Sequence, residues 1–327
     1  MLSEFDLIAH YFSRPPCGDV RIGLGIGDDC ALLLPTAGTQ LAVSTDMLVE
    51  GRHFFAGADA DNLGHKALAV NLSDLAAMGA APLAFTLALS LPTADPAWLA
   101  AFSRGLFALA DLHGCRLIGG DTTRGPLNIC ITVFGELPAG MALRRDAAMP
   151  EDDIWVSGTL GDARLALAVL RHETSSGVPL VLRAADLQQA ASRLHRPTPR
   201  VALGIALRGI AHAAIDISDG FAGDLAHVLA HSRCGASIDI DALPAGPVLQ
   251  KMAPGLRRDW CLAGGDDYEL CFTAPPYRHD AVVAAGVASS TCVTRIGRID
   301  AASGLRLLDG AGNTFHAPPS FDHFGNT

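Results

Sequence analysis

Five acidic segments of this 327-residue chain set aspartate at expected strand ends and helix starts, most of them beside glycine, serine or threonine. They are Gly27-Asp28-Asp29, Ser44-Thr45-Asp46, Ser73-Asp74, Gly119-Gly120-Asp121-Thr122-Thr123 and Asp216-Ile217-Ser218-Asp219-Gly220. Small neighbours permit tight turns and close approach to a ligand. One Asp beside Gly is ordinarily a turn former or helix cap. Asp219-Gly220 suits such a cap, as do Asp61 and Asp95 ahead of apolar helical runs. Five together point to more. In an α/β sheet such loops collect at one end, where ligands bind. Converging carboxylates ~4 Å apart repel by ~4 kcal/mol per pair at an effective dielectric of about 20, which bound cations or proton uptake would relieve. Oxygen ligands from Asp, Ser and Thr suit Mg²⁺, which bridges proteins to phosphates. His53 and Phe321 read, on composition alone, as a satisfied polar residue near a strand end and a core aromatic.

Familiar alternatives are missing. The two lysines, Lys66 and Lys251, do not follow glycine, so there is no Walker A loop. Gly23-x-Gly25-x-Gly27 misses the dinucleotide fingerprint, and neither H-E-x-x-H nor G-x-S-x-G occurs. Eight scattered cysteines include no C-x-x-C pair, which argues against zinc ribbons and thioredoxin chemistry and for reduced thiols in a cytoplasmic protein. Asp and Glu outnumber Lys and Arg by 34 to 24, a formal charge of −10. That field is wrong for gripping nucleic acid or an anionic membrane. The uncharged stretch Leu75–Ala94 has the length of a membrane span. It contains Gly79, Pro82 and Pro92 between flanking Asp74 and Asp95, and reads better as a buried helix end and a buried strand. Glu4 and Asp6 stand where a signal peptide needs basic residues.

The elements that must position these residues alternate. A capped helix opens near Ser3, and a strand runs over Leu41–Asp46. A helix follows over about 60–79, a strand over Ala84–Leu91 and a helix over Pro96–His113. Strands at Arg116–Ile118 and Leu127–Leu137 flank the loop Gly119–Thr123. The turn-rich segment Pro138–Asp153 marks a boundary between domains 1–137 and 138–327. Beyond it come a strand at Ile154–Ser157, helices at Asp162–His172 and about 184–208, and a strand at Ala213–Ile217. A helix from Asp219-Gly220 to about Ser232 follows. Strands near Ala236–Ile240, Tyr268–Thr273 and Thr291–Ile299 complete the pattern. The class is α/β (α+β) with two mixed sheets carrying helices.

Several longer strings carry a family resemblance. They are Gly25-Ile-Gly-Asp-Asp-Cys-Ala-Leu-Leu33, Ser44-Thr-Asp-Met-Leu-Val-Glu-Gly51 with His53-Phe54, and Lys66-Ala-Leu-Ala-Val-Asn-Leu-Ser-Asp-Leu-Ala-Ala-Met-Gly79. Ile118-Gly-Gly-Asp-Thr-Thr-Arg-Gly125, Arg196-Pro-Thr-Pro-Arg200, Ala214-Ile-Asp-Ile-Ser-Asp-Gly220 and Gly264-Gly-Asp-Asp-Tyr-Glu-Leu270 continue the series. In this order they resemble the thiamine-monophosphate kinases over essentially the whole chain. The resemblance implies a two-domain aminoimidazole-ribonucleotide-synthetase-like fold whose N-terminal sheet pairs with that of a second subunit in a homodimer. It implies the reaction ATP + thiamine monophosphate → thiamine diphosphate + ADP with several Mg²⁺ ions. The implied metal ligands are Asp29, Ser44, Thr45, Asp46, Asp74, Asp121, Asp216 and Asp219. The implied ATP contacts are Gly120, Asp121, Arg145 and Ser218, and those to thiamine are His53, Asp266 and Phe321. The family usually has Glu at the position of Asp266, and Arg144 competes with Arg145 for the phosphate role.

The chemistry agrees. Phosphoryl transfer needs in-line approach and neutralised charge rather than covalent help, and a phosphate monoester is already an anionic nucleophile. Two other readings stay open. One is another ATP-using synthetase of the same superfamily, against which Cys17 lacks the context of a reactive selenophosphate-synthetase cysteine. The other is a non-catalytic module that binds divalent cations or nucleotide.

Overall fold

The computed structural model describes residues 4–15, 18–175 and 177–318. The chain divides into two compact units, Met1–Leu75 with Ala80–Gly140, and Ala76–Gly79 with Met141–Thr327. The architecture is α/β with mixed sheets and covering helices.

In the first unit β1 (Thr39–Val49) is followed by α1 (Ala60–Ala77), β2 (Ala81–Leu91), α2 (Pro96–Leu112), β3 (Arg116–Arg124) and β4 (Asn128–Pro138). The sheet order is β1-β4-β2-β3. Only the β2–β3 pair is parallel, joined through α2. Phe85, Leu87 and Leu89 of β2 alternate toward a buried face with Ile129, Ile131 and Val133 of β4. Leu68, Leu72 and Leu75 of α1 and Leu99, Phe102 and Leu106 of α2 recur at helical spacing and are buried as well. The two helices cross closely because of glycine. A Cβ on Gly105 would sit 1.9 Å from the Asp61 carbonyl oxygen, and one on Gly64 would sit 2.1 Å from that of Phe102. Asp95 caps α2, accepting the Ala97 N–H at 2.9 Å.

The sheet's other face is open. Two rows cross all four strands on it, Thr45–Thr132–Thr86–Gly119 and Met47–Cys130–Ala88–Asp121. Along β1 this face exposes Leu41 by 40%, Val43 by 57% and Met47 by 52%, so nothing among the described residues covers that edge.

One expectation fails in this unit. The segment Gly119–Thr123 is strand, not loop, because β2 extends to Leu91 and offers parallel partners as far as Arg124. The β-branched Thr122 and Thr123 suit that conformation. Gly120, at φ +142°, makes it possible: a Cβ there would lie 1.8 Å from the Leu87 carbonyl oxygen.

The second unit holds β5 (Asp153–Ser157), α3 (Asp162–Leu170), α4 (Ala184–His195), α5 (Val201–Ala206), β6 (Ala213–Ile217) and α6 (Phe221–Ser232). Then come β7 (Gly235–Asp239), α7 (Pro254–Ala263), β8 (Glu269–Ala274), α8 (His279–Ala288), β9 (Val293–Asp300), β10 (Gly304–Leu308) and β11 (Thr314–Phe315). The sheet order is β6-β8-β5-β9-β7-β10-β11. Every residue of β5, β6 and β8 is buried. Ile154, Val156, Ile215 and Ile217 there join Leu165 of α3 and Leu225 of α6 in one core.

The helix expected over 184–208 is two helices, interrupted at Arg196-Pro197-Thr198-Pro199. Proline lacks the N–H a helix needs and forces its predecessor out of the helical region. The helix expected from Asp219 begins at Phe221, with Gly220 as an N-cap that has no side-chain bond. Among the described residues no helix is long and apolar enough to cross a membrane, and Leu75–Ala94 is a helix end followed by a strand.

Candidate active site

In the first unit, strand and helix periods bring two motifs together. Ser44 and Asp46, two apart on β1, share a face, and Asn71 and Asp74, three apart on α1, share another. The Ser44 hydroxyl donates to the Asp74 carboxylate. The Asp46 backbone N–H donates to Asn71 Oδ1 at 3.1 Å, and Asn71 Nδ2 donates to the Ala67 carbonyl at 2.9 Å. Asn71 thereby fixes the strand against the helix beside the two acidic residues. Thr45 takes the opposite face, with its hydroxyl 2.8 Å from that of Thr132. His53, in the turn after β1, accepts the Val49 N–H on Nδ1 at 3.0 Å, which leaves the ring proton on Nε2 of the neutral imidazole. Asp28 and Asp29 are exposed between the short strands Ile22–Leu24 and Leu32–Leu33, with Asp28 Oδ1 accepting the Asp29 N–H at 2.8 Å.

Asp121 is not gathered with these residues in one chain. It lies on β3, the edge opposite β1, and on the open face in the row of Met47, whereas Asp46 takes the helix-covered face. Three strand spacings separate the two edges by about 14 Å. Cys130 stands on that row between them, and its thiol is pushed up by burial and by the Asp46 charge.

In the second unit the candidates come from adjacent strand ends. Asp216 is buried on β6, and Ser218 and Asp219 follow it in the turn before α6. Asp266 donates its backbone N–H to the Ser218 carbonyl at 2.8 Å, and Tyr268 donates likewise to Ile217 at 2.8 Å. The Asp216-Ile-Ser-Asp-Gly turn and the Gly264–Tyr268 loop therefore form one wall. Asp224, in the first turn of α6, shapes it from behind. Its Oδ2 accepts the N–H groups of Ser218 at 3.0 Å, Asp219 at 3.2 Å and Gly220 at 3.2 Å. Burial, then the neighbouring Asp219 charge, pushes the Asp224 carboxyl up to about 7 against those three donors.

The two arginines of the linker differ. Arg144 is clamped on Asp146 at 2.8 and 2.5 Å. Arg145 is exposed and has no ion pair among the described residues. Phe321 lies outside the described residues.

Sequence reasoning gave no role to Asn71, Asp224, Asp267, or the cluster around Glu269. Glu269 is fully buried, chelated by Arg200 at 2.6 and 2.5 Å, bonded by Arg193 at 2.8 Å and by the Ser157 hydroxyl at 2.6 Å. The Arg196–Arg200 string and the Gly264–Leu270 string thus meet through Arg200 and Glu269 in an internal ion network. Asp224 had a local signal, an acidic residue in the first turn of a helix. The others depend on pairings across the fold.

Among the described residues no three His, Cys, Asp or Glu side chains close on a common point as a metal site. The donors that are gathered, the Ser44 hydroxyl and the Asp74 carboxylate, are both oxygen, the chemistry that suits Mg²⁺, and Asp216 and Asp219 would add more of the same kind.

Residues 27–137 match the family model for the AIR synthase related protein N-terminal domain, and residues 149–310 match that for the C-terminal domain. The thiamine-monophosphate kinase of Salmonella typhimurium is 47% identical over 324 residues, covering 98% of each chain. Among solved structures, the thiamine-monophosphate kinase of Stenotrophomonas maltophilia superposes with a TM-score of 0.82 at 50% identity, covering 89% of this chain and 92% of the other. A structure of AaThiL complexed with AMPPCP and TMP superposes with a TM-score of 0.76 at 28% identity and covers 89% of each chain.

Proposed function

Since the chain belongs to the thiamine-monophosphate kinase family and is an ATP-dependent phosphotransferase, we propose that it works as a homodimer whose sites draw cation ligands from both copies. The reaction is ATP + thiamine monophosphate → thiamine diphosphate + ADP. Its carrying observation is the 47% identity to a thiamine-monophosphate kinase over 98% of the chain.

The acceptor is a phosphate monoester, so no side chain has to act as a base, and the task is to bring two anions into line. Asp29, Ser44, Thr45, Asp46, Asp74, Asp121, Asp216 and Asp219 are the cation ligands of this reading. Mg²⁺ held by them would neutralise the phosphates and template the in-line approach. Gly120, Asp121, Arg145 and Ser218 take ATP. Arg145 suits the phosphates better than Arg144 because no carboxylate among the described residues engages its guanidinium, whereas Asp146 holds that of Arg144. His53, Asp266 and Phe321 take the thiamine side, where a carboxylate and an aromatic face match a cationic thiazolium and a flat pyrimidine.

The first unit's sheet supports the homodimer. Leu41, Val43 and Met47 form an exposed apolar strip at the β1 edge, and a second copy related by a two-fold axis would cover it. Such pairing can set β3 of one copy beside β1 of the other, bringing Asp121 to the β1 edge that lies about 14 Å from it within one chain. The seven described cysteines are all free thiols, which supports a reducing, cytoplasmic location.

The decisive experiment supplies γ-labelled ATP and thiamine monophosphate with Mg²⁺ or with EDTA. Label in thiamine diphosphate, with Mg²⁺ only, is expected. ATP hydrolysis without that product would move the function to another acceptor, and no turnover at all would leave a binding module.

A further inference from the structure

Two aspartates stand side by side in the Gly264–Tyr268 loop, yet the fold treats them oppositely. Asp266 is half-buried in the wall beside Ser218, while Asp267 is 1% exposed. Asp267 Oδ1 accepts the N–H of Gly161, the N-cap of α3, at 2.8 Å. Its carbonyl oxygen accepts from Arg193 of α4 at 2.9 Å.

The residues on either side of it, Asp266 at φ +66° and Tyr268 at φ +50°, are both in the left-handed region that non-glycine residues avoid. A loop with two such residues keeps its shape only if its surroundings over-determine it. The backbone bonds to Ser218 and Ile217 secure one side, toward β6. The Asp267 side chain is the tie to α3.

Two buried side-chain polar atoms lack partners among the described residues, Asp267 Oδ2 and Arg164 Nη1, and both belong to this joint. Arg164 follows Gly161 by three residues, and its Cβ lies 3.0 Å from where a Cβ on Gly264 would stand. Burial drives the Asp267 carboxyl well above the ordinary carboxylate range. A neutral acid tolerates an orphan oxygen far better than an anion does. Asp267 is therefore built as an uncharged internal pin, and its neighbour is left as the acidic group of the wall.

We propose that Asp267 is a positioning residue for the transfer reaction: by pinning the Gly264–Tyr268 loop to the start of α3, it aims the Asp266 carboxylate at the thiamine moiety of the acceptor. The proposal rests on the assignment of Asp266 to the thiamine side. It also accounts for a short Asp at position 266, since a short arm tolerates little error in where its backbone is held.

The test compares Asp267→Asn, Asp267→Ala and Asp267→Glu with the unmodified enzyme, in steady-state kinetics and in amide hydrogen exchange of residues 264–268. Asn keeps an acceptor for the Gly161 N–H and is uncharged, so KM for thiamine monophosphate and loop exchange should stay within about twofold of the parent. Ala removes the pin, and Glu misplaces it. Each should raise KM for thiamine monophosphate by about tenfold or more and speed loop exchange, with KM for ATP nearly unchanged. Should Ala fail to fold, the Asn and Glu pair still decides the matter. Folded Ala or Glu variants with parental KM and exchange would overturn the proposal, and so would an Asn variant as impaired as Ala. A general loss affecting ATP equally would reduce Asp267 to a structural residue. If the variants loosen the loop but the unmodified enzyme does not accept thiamine monophosphate, the assignment of Asp266 to thiamine falls while the pin itself stands.

Discussion

If each site is built from two copies, variants defective on opposite edges of the sheet should rescue each other. Asp46→Asn alters β1 and Asp121→Asn alters β3, the two edges of the first unit's sheet. Loss of one charge-stabilising group at a transition state typically costs 10²–10³ in rate, so each variant alone should retain below about 1% activity with its fold intact. Mixed one to one and allowed to exchange, half of the dimers carry one copy of each. In such a dimer, one site combines the intact Asp46 of one chain with the intact Asp121 of the other, and the second site carries both changes. Half of the dimers with one working site of two gives about a quarter of the unmodified specific activity. A control sets the scale. Asp46 and Asp74 lie on elements that meet within a single chain, through the Asn71 and Ser44 bonds, so Asp46→Asn mixed with Asp74→Asn should recover nothing. The assay is thiamine diphosphate formation, with native mass spectrometry to count mixed dimers. Mixed dimers present without recovered activity would refute the shared site, and recovery in the control would refute the geometry behind it.

Other perturbations read the scaffold. Glu269→Ala strips two guanidinium groups of their buried partner and should destabilise the enzyme by about 3–5 kcal/mol, visible by calorimetry as a sharply lowered melting temperature. A change below about 1 kcal/mol would show that the network is dispensable. Burial raises the folded pKa of Asp267 well above the ordinary aspartate value, so the folded state holds its proton longer than the unfolded chain does. Its contribution to stability is therefore fully present at low pH and declines as pH rises from about 4 through the folded value. Melting temperatures of Asp267→Asn should fall less than the parent's over that rise, and parallel curves would contradict the assignment. Cys115, Cys261 and Cys271 are buried with their thiols pushed far up, whereas Cys30 and Cys292 are exposed. Iodoacetamide on the native protein should modify Cys30 and Cys292 and spare the other three, as peptide mapping would show.

What the sequence made legible follows from how far each signal reaches along the chain. The helix at 60–77 and the strand at 81–91 were readable because their signals are local: helical spacing of apolar residues, then a proline and an uncharged run. The Gly119–Thr123 segment was misread as a loop because glycine pairs usually mark turns. Here the glycines serve a close strand approach, visible only when Leu87 is known to be the neighbour. The acidic residues were recognisable as a set, but their assumed common location was not correct in detail. Ser44 and Asp46 lie within a strand and Asp74 within a helix, not in loops at one end of a sheet. Asp121 shares a sheet with Asp46 yet occupies the other face and the other edge. A period of two fixes which face a strand residue takes but not which strand lies beside it, so face and edge emerge only from the register. On the homodimer proposed above, that register would make the acidic set a product of pairing rather than a single-chain cage. The same strip of Leu41, Val43 and Met47 that wants covering lies along the edge where Asp121 is missing. One dimer contact would satisfy the hydrophobic demand and the ligand demand together, which is why a single mixing experiment tests both.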